Sequence, residues 1–71
     1  MTDIMQIRLL AMLDNEIEQV TGNISNEKVW ALGATSEEDY QMHTENIEDF
    51  EEYKALLLII RTRVEEGDLL L

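Results

Sequence analysis

Apolar residues recur along this chain at steps of three and four, the spacing of one face of an α-helix. Ile4, Ile7, Leu10, Leu13 or Asp14, Ile17 and Val20 form the first stripe, and Met5, Leu9 and Met12 a shorter one beside it. Thr2 suits the N-cap, and Asp3 suits the first turn, where the helix dipole favours negative charge. Gly22 followed by Asn23 reads as a stop, because glycine tolerates the left-handed conformation of a helix C-terminus. The spacing predicts a first helix over about residues 3–21.

Residues 22–36 read as a connection carrying a short element. Ser25 or Asn26 caps a short helix over about residues 26–32, ending at Gly33, with Trp30 and Leu32 expected to plug one end of the core, the alternative for Trp30 being an exposed binding anchor. Ser36 is then a strong N-cap. Glu37, Glu38 and Asp39 follow it in the acid-favouring first turn, with Asp39 placed as in a capping box. From there nothing interrupts a long helix to Glu66, whose stripe is His43, Ile47, Phe50, Tyr53, Leu57, Ile60 and Val64. Gly67 ends it, and residues 67–71 form a tail. A long helix of ~45 Å against a first one of ~30 Å predicts an overhang. The expected fold is all-α: a single domain, an antiparallel helical hairpin with a short connecting helix.

One segment asks for more than a hairpin. Leu56, Leu57, Leu58, Ile59 and Ile60 are consecutive, and at about 100° per residue they cover the whole helix circumference. A hairpin buries only one stripe of each helix. With Met5, Leu9 and Met12, and the tail residues Leu69, Leu70 and Leu71, this surplus predicts self-association. The expected form is a dimeric four-helix arrangement.

Length and composition point the same way. With 71 residues, a single core of this size supplies only ~3–5 kcal/mol. No cysteine is present and only one histidine, so disulfides and thiolate zinc sites are excluded and metal ligands are scarce. Asp39 and His43 are neighbours on the helix, but Tyr40 stands where a Glu-x-x-His di-iron motif needs glutamate. No metal or cofactor is expected. Oligomerisation or docking remains as the route to stability.

The charge narrows the partners. Sixteen acids against five bases give −11, which opposes direct binding to nucleic acid or to an anionic membrane. A partner with a basic protein surface fits instead. Between Glu37 and Glu52 there are eight carboxylates and no lysine or arginine. Glu38, Glu45, Glu48, Asp49 and Glu52 lie near one line of the helix at ~5–6 Å steps. That stripe serves as a solvated face, or as a mimic of a phosphate backbone.

The inventory for catalysis is poor. One histidine and two serines form no evident nucleophile–base pair, and Gly22, Gly33 and Gly67 are isolated. No enzyme activity is expected. Met1-Thr2-Asp3 lacks the features of a signal peptide. The apolar run from Ala55 to Ile60 is far short of the ~20 residues of a membrane span. The expected location is cytoplasmic.

Asp49-Phe50-x-x-Tyr53-x-x-Leu56, running into the apolar helix Leu57 to Val64 and an acidic end, resembles short acidic helical-hairpin accessory proteins of tailed bacteriophages. The resemblance covers residues 46–66. It implies a phage accessory or virion-assembly protein acting in the host cytoplasm. Two other roles share the same surfaces: a DNA-mimic inhibitor of a host DNA-binding or defence protein, working through the carboxylate stripe, and an adaptor bridging host proteins.

Overall fold

A computed structural model describes residues 3–67. Two α-helices fill it: α1, Asp3–Leu32, and α2, Glu37–Glu66. Residues 33–36 join them. Hydrogen bonds across the pair run Gln6 to Val64, Glu16 to Tyr53 and Glu27 to His43, so the helices are antiparallel.

A seven-residue step organises the seam. Gln6, Leu13, Val20 and Glu27 repeat along α1, and His43, Phe50, Leu57 and Val64 along α2. Gln6 meets Val64 and Glu27 meets His43. The same register sets Leu13 opposite Leu57 and Val20 opposite Phe50. Leu10, Ile17, Ile24 and Ala31 fill the intervening turns of α1, and all are shielded. Repeats of this kind are how two helices keep one seam in contact over many turns. The apolar core itself is thin: Val20, Ile24, Leu57 and Val64 are the buried hydrophobic residues among those described.

The ends of the helices are locally determined. The Ser36 hydroxyl accepts from the Asp39 backbone N–H at 3.1 Å, and Glu37, Glu38 and Asp39 fill the first turn of α2. Gly67 stops α2 in the left-handed conformation, φ 74°, with its N–H turned back to Arg63 and Val64 carbonyls. Gln6 reaches across from α1 and donates to the Val64 and Glu65 carbonyls at 2.9 and 3.1 Å. The Glu65 carbonyl, in the turn where helical donors run out, thereby gains a partner, and the Val64 carbonyl gains a second one beside Gly67.

Several expectations from the sequence are corrected. Gly22 does not end α1, and no separate helix begins at Ser25 or Asn26; α1 runs unbroken to Leu32. Glycine inside a helix costs ~1 kcal/mol, but stopping there would forfeit the seam at Ile24, Glu27 and Ala31. The helices are therefore of equal length, 30 residues each, without the expected overhang. Continuing α1 also fixes where Trp30 and Leu32 point. They lie off the seam, 54% and 89% exposed, and plug nothing. Ile4 and Ile7 likewise fall on the outer side, while the seam at that level runs through Gln6, Leu9 and Leu10. Thr2 and Leu69, Leu70 and Leu71 lie outside the described residues.

Candidate interaction surface

The Tyr53 hydroxyl donates to Glu16 at 2.8 Å and so marks one flank of the seam. Residues at helical spacing from these two share that flank. On α1 they are Met12, Leu9 and Met5, four, seven and eleven positions before Glu16; on α2 they are Leu56 and Ile60, three and seven after Tyr53. Met5, Met12, Leu56 and Ile60 are exposed, and Leu9 is partly covered. Ile59 is exposed on the outer side of α2 next to this strip. Leu58, expected to belong with them, turns to the opposite flank, three residues from Arg61.

Towards the loop the same flank changes character. Asp49, Glu45 and Glu38 lie on the line of Leu56, at steps of seven, four and seven along α2. Glu48 and Glu52 lie beside them, further round the helix. All five carboxylates are exposed, and none makes an ion pair among the described residues. On α1 the line through Met5 and Met12 reaches Gln19 and Asn23 and then Trp30. One flank is thus apolar at the open end of the hairpin and acidic near the loop.

The opposite flank is tied by charge. Arg61 donates through Nε to Asp14 at 2.5 Å and through Nη1 to Glu65 at 3.0 Å. The hydrogen bond from Arg61, with its positive charge, holds the Asp14 carboxyl below its usual pKa against a smaller opposing effect of desolvation. Across the seam, accepting the Tyr53 hydroxyl makes the Glu16 carboxylate push that phenol above its usual value, helped by desolvation.

A polar cluster closes the seam near the loop. The Glu27 carboxylate, buried, sits 2.5 Å from His43 Nδ1, and Asn46 donates to it at 3.4 Å. Asp39 approaches the other ring nitrogen of His43 at 3.4 Å, and the Trp30 ring is tilted over the imidazole with centroids 6.0 Å apart. Each side chain in this cluster has a partner. The sequence reading placed His43 on the apolar stripe but missed Glu27. The signal was the seven-residue step from Gln6 through Leu13 and Val20, which lands on Glu27.

No family model, curated protein or solved structure matches the chain. The surface therefore has to be read from its own chemistry. Its depressions are shallow; one at the start of α2 is lined by Ser36, Glu38, Asp39, Gln41, Met42 and Glu45. Among the described residues no group of three or more His, Asp or Glu is placed to hold a metal ion, and no helix is long and apolar enough to cross a membrane.

Proposed function

We propose that this chain is a non-enzymatic protein-interaction module that works as a homodimer. Its apolar open end joins two copies, and its acidic end meets a basic surface on a protein partner. The observation that carries this reading is unspent surface. The hairpin is a rod of 51 × 16 × 13 Å with 5479 Å² accessible. A compact monomer of 8.3 kDa exposes about 4,600 Å². The excess, roughly 900 Å², is what the elongated shape leaves uncovered. Ile4, Ile7, Met12, Leu56, Leu58, Ile59 and Ile60, all exposed, lie on the half of the rod away from the loop. The resemblance of residues 46–66 to tailed-phage accessory proteins supplies the setting: an accessory or virion-assembly role in the host cytoplasm.

Replacing Leu56 and Ile59 by glutamine tests the reading in an analytical ultracentrifuge. Both are more than half exposed, so helix content and monomer fold should be retained while the dimer dissociates at least about tenfold more readily. Unchanged self-association would remove this face from the account.

The second reading, a DNA mimic acting on a host DNA-binding or defence protein, draws on the five exposed, unpaired carboxylates. Binding of such a target should weaken steeply with salt and be competed by duplex DNA. Charge reversal at Glu45, Glu48 and Glu52 should abolish it. Inhibition surviving that reversal would sink the idea.

A further inference from the structure

The net negative charge of the hairpin is uneven along its length, and this constrains how two copies meet. Residues 19–54, the loop half, hold nine carboxylates against two lysines, net −7. Residues 3–18 and 55–67, the open half, hold six against three arginines, net −3. The exposed apolar strip Met5, Met12, Leu56 and Ile60 belongs to the open half, and Asp49, Glu45 and Glu38 continue its line into the loop half.

We infer that two copies pack antiparallel with only their open halves overlapped, giving a short central four-helix section and two acidic two-helix arms that point in opposite directions. The inference rests on the self-association proposed above and adds its geometry. A full-length side-by-side dimer in parallel would set two −7 halves against each other within about one Debye length, ~8 Å at physiological salt. A full-length antiparallel dimer would lay the acidic strip of each copy on the apolar strip of the other, burying carboxylates without partners. Overlap confined to the open halves does neither. Around a two-fold axis perpendicular to the rods like helices face each other, so the Met5–Met12 strip of one copy packs on the same strip of the other and Leu56 and Ile60 pack on theirs, an isologous contact. The three arginines of that half, Arg8, Arg61 and Arg63, keep its net charge low where the copies approach. The free arms then carry most of the negative charge at the two distal ends, spaced for two basic sites.

Small-angle X-ray scattering on the intact chain reads mass and maximum dimension from one curve. Each rod is 51 Å long, and an overlap of about fourteen residues per helix covers ~21 Å, so the dimer should measure about 80 Å. The mass of two chains with that dimension is the expected result. The mass of two chains with a dimension near that of a single rod overturns the overlap while leaving self-association standing. The mass of one chain at every concentration overturns both. Two variants make the same distinction by position. Met12→Gln with Ile60→Gln should weaken the dimer about tenfold or more with helix content kept. Met42→Gln, on the same flank but in the loop half, should leave the dimer unchanged; weakening by Met42→Gln would mean that the arms are paired, and the inference would fail.

Discussion

Glu27 and His43 meet at a point where the seam step of α1 delivers a carboxylate and that of α2 an imidazole, at 2.5 Å. Truncating either alone strands the other in a shielded site. Glu27→Ala or His43→Ala should therefore cost about 1–3 kcal/mol in denaturant unfolding. Replacing both by leucine should cost clearly less than the two single losses together, since neither member of the pair is then left facing an apolar gap and only Asn46 loses its contact. Simple additivity in that cycle would show that the pair is not coupled. Asp14 offers a second test at this scale. Its folded pKa is depressed by Arg61, so its stabilising effect is present above the unfolded carboxylate value and is lost as pH falls through the folded one. Asp14→Asn should lower stability at neutral pH and flatten the acid limb of a melting-temperature profile. Tyr53 has the opposite sign: its raised pKa makes its contribution full below about pH 10 and lost as pH climbs through the folded value. Tyr53→Phe should flatten the alkaline limb. Neither coupling was legible in the sequence, because each joins residues far apart in the chain whose meeting depends on the seam register.

At the scale of the helix, local signals were readable where they coincide with real ends and misleading where they do not. Ser36 with three acids after it, and Gly67 at the close, mark α2 because each satisfies backbone groups that the helix leaves open. Gly22 carries an equally good stop signal, yet α1 passes through it. The tertiary seam, which a single glycine does not announce, outweighs the local preference. It follows that Gly22 is a cost borne by the fold. A Cβ there meets nothing within 4 Å, so Gly22→Ala should stabilise the protein by about 0.5–1 kcal/mol. The reverse holds at the true ends. Ser36→Ala should cost ~1 kcal/mol through the lost cap. Thermal unfolding of the two variants should move in opposite directions. If Gly22→Ala destabilises instead, the helix is not continuous there.

For the whole molecule, the surplus of apolar surface was legible earlier than its location. Five consecutive apolar residues at Leu56–Ile60 cannot all face one partner helix, and the structure leaves Leu56, Leu58, Ile59 and Ile60 exposed while burying Leu57. What the sequence did not show is that Met5, Met12, Leu56 and Ile60 share a flank while Leu58 does not. That division needed the register between the helices, which Glu16 and Tyr53 fix. The acidic stripe was readable as a stripe within one helix. Its continuity with the apolar strip became visible only once both were set on the same rod. On the proposed dimer, the melting temperature of a two-helix rod with so thin a core should rise with protein concentration.

In the proposed dimer a second copy of the chain covers the apolar open end. Light scattering across a range of concentrations, at low and at high salt, tests it most directly. The mass of two chains is expected in both salts, because the proposed contact is apolar and keeps the acidic arms apart. A monomer that persists at every concentration in both salts would contradict it, and the open end would then belong to a different protein.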